Sequence, residues 1–209
     1  MFLVAGLGNP GEQYARTPHN LGFLVVDRLA ARHGIRLTRK ECQALIGQGS
    51  IGGKTVLLAK PQTYMNLSGV AIKPLMQKNE IRPNDFILVY DELDLPWGSL
   101  RVRPKGSPAG HNGITDVIEK IGTQEFPRIR LGVHPGHALP GAKGEGSVLR
   151  TQKTGKDYLL SRFTRQQTET LDEFVDLAAD ATESIITEGV EKSMAKFNRR
   201  AQGSTTEEE

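Results

Sequence analysis

Short apolar runs alternate along the chain with longer stretches whose apolar residues recur at helical spacing. "FLVAGL" near the N-terminus predicts a short strand, and "FILVY" (86–90) is a continuous apolar run, typical of a strand buried on both faces. "ALIGQGSIGGKTVLLAKP" predicts two strands joined at Gly52 and Gly53, a residue pair common in hairpin turns. "SLRVRP" and "RIRLGV" alternate apolar with polar residues, so each predicts a strand with one polar face.

Stretches with helical spacing lie between and after these strands. "NLGFLVVDRLAARHG" has Asn20 as a candidate N-cap and Gly34 as a candidate stop, and "NGITDVIEKIG" again ends in glycine. "PLMQKNEI" predicts a helix that starts near Pro74, since proline is disfavoured inside helices. The other predicted helices span about 20–34, 112–121, 164–188 and, after Gly189, about 190–200.

Strands that alternate with helices, together with a hairpin, predict an α/β fold. We expect a three-layer sandwich in which a mixed, mostly parallel twisted sheet is flanked by helices. The sequence contains no repeat and no linker-like break, so residues 1–200 are expected to form a single domain. Residues 201–209 are expected to form a flexible C-terminal tail.

The segment "VAGLGNPG" contains Gly6, Gly8 and Gly11 at the spacing of a dinucleotide-binding fingerprint. That fingerprint requires a helix directly after the glycines and an acidic residue at the end of the next strand. Here "EQYARTPHN" has no apolar period and contains Pro18, and Asp27 falls inside a helical pattern. The sequence therefore argues against a nicotinamide enzyme and leaves the glycines the role of a tight loop.

Composition narrows the class of protein further. The chain of 209 residues has a net charge of +3 and a single cysteine, Cys42, which excludes an internal disulfide and a cysteine-rich metal site. No signal peptide and no membrane span are visible, so a cytoplasmic location is expected. Three glutamates end the chain, at 207–209, so the rest of the protein is more basic than the total and could take a polyanionic partner.

Several polar residues fall at predicted strand ends or helix starts, where ligands bind in open α/β sheets. Each has a structural alternative: Asn20, Ser68 and Asn112 could be N-caps, Asp91 could satisfy loop amides, and a lone His19 is often structural. Their convergence on one edge nevertheless predicts a shared site. Histidine, aspartate and asparagine amides suit general-base hydrolysis of an ester or amide without a metal. The residues are Asn9, His19, Asn20, Asn66, Asp91, His111 and Asn112.

Four motifs, in this order and at these intervals, resemble the bacterial peptidyl-tRNA hydrolase family: "GLGNPGEQYARTPHNLGF", "KPQTYMNLSG", "VYDELDLPWG" and "GHNGITDVI". "FPRIRLGV" and "YLLSRF" extend the resemblance to about Arg200. The resemblance implies a monomeric α/β domain without a cofactor. It also implies cleavage of the ester that joins a peptide to the tRNA 3′ end, which recycles tRNA for translation.

The resemblance implies a role for each matching residue. His19 corresponds to the general base that activates water, Asp91 to its carboxylate partner, and Asn9 to the asparagine that distinguishes N-blocked peptidyl-tRNA from free aminoacyl-tRNA. The positions that line the cleft for the peptide and the 3′ end are Tyr14, Tyr64, Met65, Asn66, His111 and Asn112. The basic positions for tRNA phosphates are Arg101, Arg103 and Lys105, of which the two arginines share one strand face.

One segment and two other functions remain open from the sequence. Residues 134–157 form a long loop rich in glycine and basic residues, consistent with a lid, an RNA-contacting arm or a plain insertion. A non-catalytic relative that binds structured RNA is one alternative, although the candidate catalytic residues are all present. An esterase or amidase acting on a small substrate is the other, and the basic strand argues against it.

Overall fold

The computed structural model describes residues 1–134 and 155–198. The strands are β1 (Phe2–Gly6), β2 (Arg39–Glu41), β3 (Ala44–Ile51), β4 (Lys54–Pro61), β5 (Phe86–Pro96), β6 (Leu100–Arg103) and β7 (Arg128–His134). The α-helices are α1 (Leu21–Arg32), α2 (Ser68–Lys78), α3 (Asn112–Ile121), α4 (Gly155–Leu159), α5 (Arg165–Glu188) and α6 (Val190–Phe197). Short 3₁₀ turns cover Glu12–Tyr14, Pro18–Asn20, Met65–Leu67 and Pro83–Asp85.

The seven strands form one sheet in the order β2-β3-β4-β1-β5-β7-β6. The neighbours β4, β1, β5 and β7 are parallel, while β2, β3 and β6 join through antiparallel pairs. Five strands therefore run in one direction and only β3 and β6 run in the other, which confirms the mixed, mostly parallel sheet. The carboxyl ends of the parallel strands share one edge, and this edge carries the site.

Helices cover both faces of the sheet and produce the predicted three layers. Alternate residues of β1 point to opposite faces, so Val4 packs on the side of α1, α5 and α6, whereas Leu3 packs on the side of α2 and α3. The helical spacing predicted for α3 is confirmed, because Ile114 and Val117 are fully buried against this second face. Each such side chain stabilises the fold by about 1.5–3 kcal/mol.

The glycines of "VAGLGNPG" allow the first strand and α1 to pack closely. A Cβ on Gly6 would lie 2.0 Å from the carbonyl oxygen of Gly22, and a Cβ on Gly8 would lie 2.8 Å from the ring of Phe23. Asp27 lies inside α1, as the helical pattern indicates. These residues are therefore arranged for contact between the strand and the helix, and the dinucleotide-binding context is absent.

Two element boundaries differ from the predictions. The helix expected to start near Pro74 begins at Ser68, and Pro74 lies inside it. An internal proline destabilises a helix by about 3 kcal/mol. Burial of the apolar face of α2 offsets that cost. The buried apolar residues are Ala71, Ile72, Leu75 and Met76. The strand expected to end at Tyr90 continues as β5 to Pro96, so Asp91 lies within the strand and not directly after it.

Of three N-cap assignments, the one for Asn20 is correct in position, and those for Ser68 and Asn112 are wrong. Asn20 occupies the N-cap position of α1, but its side chain makes no capping hydrogen bond there. Ser68 is the first residue of α2, which has no side-chain cap from its own N-cap residue. The N-cap of α3 is His111, so Asn112 is the first helical residue.

Some predictions fall wholly or partly outside the described residues. The tail 201–209 and positions 135–154 of the expected loop belong to this group, whereas His134 ends β7 and Gly155 begins α4. Within the two described stretches, no helix combines the length and the apolar character needed to cross a membrane.

Candidate active site

A cleft of about 490 Å³ opens at the carboxyl edge of the parallel strands. The structure brings nine of the residues singled out from the sequence to its walls: Asn9, Tyr14, His19, Tyr64, Met65, Asn66, Asp91, His111 and Asn112. They come from the segment after β1, the segment after β4, the interior of β5 and the start of α3. Arg101, Arg103 and Lys105 do not line this cleft and belong to a separate surface, described below.

Asp91 is the buried centre of the polar residues in the cleft. Its side chain is 1% exposed, and both carboxylate oxygens lie 2.9 Å from Nδ1 of His19. Burial by itself raises the pKa of Asp91, but the charges and hydrogen bonds of His19 and His111 outweigh burial and hold that pKa well below its usual range. The group is therefore a carboxylate that can only accept hydrogen bonds. The Nδ1 of His19 must carry a proton, which leaves Nε2 as the nitrogen able to accept one from the cleft.

His111 has its proton fixed by the helix that it begins. Its Nδ1 accepts hydrogen bonds from the backbone N–H groups of Gly113 at 3.1 Å and Ile114 at 3.4 Å. The ring proton of the neutral imidazole must therefore sit on Nε2, which lies 3.2 Å from Oδ1 of Asp91. Asp91 thus receives two imidazole N–H groups, and His111 acts as a donor that cannot exchange its tautomer without uncapping α3.

The same three side chains are the one group in the described residues that could hold a metal ion. The ligand atoms of His19, Asp91 and His111 all lie within 4.8 Å of one another. Sequence spacing did not reveal this cluster, because the three residues are far apart along the chain. A metal on Nε2 of a neutral imidazole requires the proton on Nδ1, whereas Nδ1 of His111 accepts two backbone N–H groups. Separations of 2.9 to 3.2 Å are also those of hydrogen bonds. The three side chains are therefore arranged for hydrogen bonds to one another and not for coordination of a metal ion.

Asn9 is fixed from two directions. Asn20 clamps its backbone, because the Asn20 side chain accepts from the Asn9 N–H at 2.9 Å and donates to the Asn9 carbonyl at 3.0 Å. The Asn9 Oδ1 accepts from the backbone N–H of Met65 at 2.8 Å. With its oxygen engaged, Asn9 presents its Nδ2 donor to the cleft. Asn20 is therefore a positioning residue, a role that sequence analysis missed because the pairing joins two separate segments.

The mouth of the cleft is lined by exposed polar and aromatic side chains. Asn66 and Asn112 are exposed on two separate segments of the lining, Tyr64 is 59% exposed, and Met65 is buried. Amide groups and an aromatic ring at an open cleft can contact a chain that carries peptide bonds or bases. The walls therefore offer contacts for an extended substrate, while the histidines lie deeper.

Part of the lining was not predicted from the sequence. Leu93, Leu159 and Leu160 form an apolar wall. The hydroxyl of Tyr158 donates to the carbonyl of Val133 at 2.7 Å, which anchors α4 beside the sheet. The leucines carry no local signal that separates them from core residues, so the pattern alone could not identify them.

A strip of arginines lies beside the cleft and consists of Arg101, Arg103 and Arg130. Arg101 and Arg103 alternate with core residues of β6, and Arg101 is paired with Arg130 of β7. Burial, and then the positive charges of Arg103 and Arg130, lower the pKa of Arg101. The cleft residue Glu92 accepts from Arg130 at 2.8 Å. Like charges held together in this way favour an anionic ligand.

Lys105 lies in the loop after β6, close in sequence to the arginine strip. It is 61% exposed, and its Nζ lies 3.3 Å from a carboxylate oxygen of Glu125. An exposed pair of this kind contributes little stability. The lysine can therefore exchange its partner for a phosphate at small cost.

Comparison with known proteins identifies close relatives. The family model described as peptidyl-tRNA hydrolase matches residues 3–206. A peptidyl-tRNA hydrolase of Solibacter usitatus is 56% identical over 208 residues and covers 100% of both chains. That of Acidobacterium capsulatum is 47% identical over 201 residues and covers 96% of each. The crystal structure of peptidyl-tRNA hydrolase from Acinetobacter baumannii matches with a TM-score of 0.81 at 32% identity, covering 95% of this chain and 94% of that chain.

Proposed function

The chain belongs to the peptidyl-tRNA hydrolase family, and on that premise we propose that its cleft hydrolyses the ester between peptide and tRNA by general-base catalysis. The family supports hydrolysis of peptidyl-tRNA as the reaction, and the proposal adds the residues and their roles. The observation that carries it is the His19 imidazole, whose Nδ1 is held by the buried Asp91 and whose Nε2 is left for the cleft.

In the proposed reaction, Nε2 of His19 takes a proton from water as the water oxygen attacks the ester carbonyl carbon. The imidazolium that forms is stabilised by the Asp91 carboxylate. The bond between the carbonyl carbon and the ribose oxygen then breaks, and the ribose oxygen receives the proton from His19. The products are a peptide with a free carboxylate and a tRNA with a free hydroxyl. General-base catalysis of this kind contributes about 10²–10⁴-fold.

The asparagines supply donors for the substrate. The Nδ2 of Asn9 is the donor fixed most rigidly, because Asn20 and Met65 hold the rest of the residue. We assign it to the substrate amide that marks an N-blocked peptide. Asn66 and Asn112 are assigned to contacts with the peptide and the 3′ end. Preorganised donors of this type lose little entropy on binding.

The arginine strip and Lys105 are assigned to tRNA phosphates. Phosphate contacts position a nucleic acid and make its binding salt-dependent, without reading its bases. Arg130 is held by Glu92 of the cleft, so a tRNA lying along the strip would enter the site at its 3′ end. A monomeric state is proposed from the family resemblance, and the location proposed is the cytoplasm, where peptidyl-tRNA arises.

The proposal is tested by incubating the protein with peptidyl-tRNA and separating free tRNA from intact substrate. We expect free tRNA to be released with turnover. Retention of intact peptidyl-tRNA on a filter without cleavage would indicate a non-catalytic RNA-binding protein. Cleavage of small esters at a rate that matches or exceeds that of peptidyl-tRNA would indicate a small-substrate esterase.

A further inference from the structure

The two asparagines assigned to the substrate lie at the starts of two neighbouring helices. Asn66 lies in the 3₁₀ turn that leads into α2, and Asn112 is the first residue of α3. A substrate that contacts both residues at once binds well only if the distance between them is fixed. The contact between α2 and α3 therefore determines how the cleft fits its ligand.

Asp116 joins the two helices through their backbone. Its Oδ2 accepts a hydrogen bond from the N–H of Gly69 at 2.7 Å, and the side chain is 9% exposed. Gly69 is the second residue of α2, whose first N–H groups have no partner within the helix. The N-cap of α2 is Leu67, which cannot supply a capping oxygen. The cap for α2 is thus provided by α3, as a carboxylate at the positive end of the helix dipole.

Glycines keep the same two helices in close contact. A Cβ on Gly69 would lie 2.4 Å from the carbonyl oxygen of Asp116, and a Cβ on Gly113 would lie 2.6 Å from Sδ of Met65. Backbone contact prevents the two helices from approaching further. The hydrogen bond from Gly69 to Asp116 prevents them from separating.

The bond joins residues that are close in sequence to the two asparagines. Asp116 follows Asn112 by four residues within α3, so the two lie on about the same side of that helix, and Gly69 follows Asn66 by three residues across the start of α2. This single bond therefore links the segment that carries Asn66 to the helix that carries Asn112.

We propose that Asp116 is a positioning residue that sets the separation of Asn66 and Asn112, and with it the affinity for the peptide and the tRNA 3′ end. This inference rests on the proposed function. It assigns no contact with substrate to Asp116, which acts through the two asparagines. His19 and Asp91 lie on other elements, and α3 reaches Asp91 only through His111 at its N-cap in the described residues, so the chemical step should change less than binding.

The test compares Asp116→Ala, Asp116→Asn and wild type with an N-acetylated aminoacyl-tRNA as substrate. Asp116→Ala should raise KM about tenfold while kcat falls less than about threefold, because misplaced groups weaken binding and leave the base intact. Asp116→Asn keeps an acceptor oxygen and should raise KM less. Hydrogen exchange of the Gly69 amide should accelerate in the same order.

Ser193→Ala is the matched control. It removes buried hydrogen bonds to Ser184 and Gly189 on the other face of the sheet. It should lower stability without raising KM. A wild-type KM in folded Asp116→Ala, or an equal rise in Ser193→Ala, would overturn the inference. If Asp116→Ala does not fold, Asp116→Asn decides the outcome alone. Failure of the wild type to cleave would instead overturn the proposed function.

Discussion

Replacing Asp91 with asparagine should disable His19 by moving the imidazole proton to the wrong nitrogen. Oδ1 of Asp91 is the oxygen shared by His19 and His111, whereas among the described residues Oδ2 contacts His19 alone. An asparagine will place its oxygen at the shared position, because His111 can only donate there. Its NH₂ group then lies beside Nδ1 of His19 and is satisfied only if Nδ1 accepts. The proton consequently moves to Nε2, which can no longer take one from water.

The size of the effect follows from two contributions. Keeping the productive tautomer in Asp91→Asn requires two donors to face each other in a buried site, which costs about 1–3 kcal/mol, or roughly 5–150-fold in rate. Loss of the negative charge replaces a charged hydrogen bond to the imidazolium with a neutral one, which costs about 1.4 kcal/mol more, or roughly a further tenfold. We therefore expect the single-turnover rate to fall by about 50–1,500-fold, less than the roughly 10⁴-fold loss of the corresponding variant of a Ser-His-Asp triad.

A second substitution separates these contributions. His111→Ser retains an oxygen that can cap α3 and removes the imidazole donor. In Asp91→Asn/His111→Ser the amide can rotate until its oxygen alone meets the Nδ1–H of His19. We expect the double variant to cleave peptidyl-tRNA about 5–150-fold faster than Asp91→Asn, since the tautomer cost is relieved. If the losses of the two single variants multiply in full in single-turnover cleavage, the tautomer argument is wrong.

Three further outcomes are expected. Exhaustive chelation should leave turnover unchanged when the tRNA stays folded, because His111 holds its proton on Nε2; a loss of activity restored only by a transition metal would contradict this. Arg103→Ala should raise KM and flatten the salt dependence of binding while kcat falls little, and a pure kcat loss would argue against phosphate contact. Folding lowers the pKa of Asp91, so the charged carboxylate stabilises the folded state at pH values above its unfolded pKa of about 4. This stabilisation is lost progressively as the pH falls below about 4 towards the lower pKa of the folded state. Asp91→Asn should therefore be less stable than wild type at pH 7, by urea unfolding, with a difference that shrinks below about pH 4; a difference independent of pH would refute the assignment.

Strong local patterns predicted most of the fold. Gly52 and Gly53 form the hairpin turn with positive φ values of 55° and 75°, conformations that glycine adopts without strain. The apolar period of α3 and its glycine stop were sufficient because both signals lie within the helix itself. Pro74 misled the prediction of α2, since the proline cost is local whereas the burial that offsets it depends on the whole sheet face.

The chemistry of the site was predictable to the level of residue type, and its geometry was not. Asn20 resembles an N-cap in sequence, yet it clamps Asn9 eleven residues away. His111 and Asp116 serve as caps for α3 and α2, and in neither case does the residue expected from the pattern perform the task. The contacts of Asn20 and Asp116 join separate segments of the chain, so no periodicity records them. The cap by His111 is local, but histidine is not among the residue types that usually form N-caps.

The measurement that tests the central claim most directly is single-turnover cleavage of peptidyl-tRNA by His19→Ala, with affinity for uncharged tRNA measured in parallel. The account predicts a rate lower by about 10²–10⁴-fold, roughly 3–5 kcal/mol of barrier, with the affinity unchanged because the arginine strip is intact. Cleavage by His19→Ala at a rate close to that of the wild type would contradict general-base catalysis by His19.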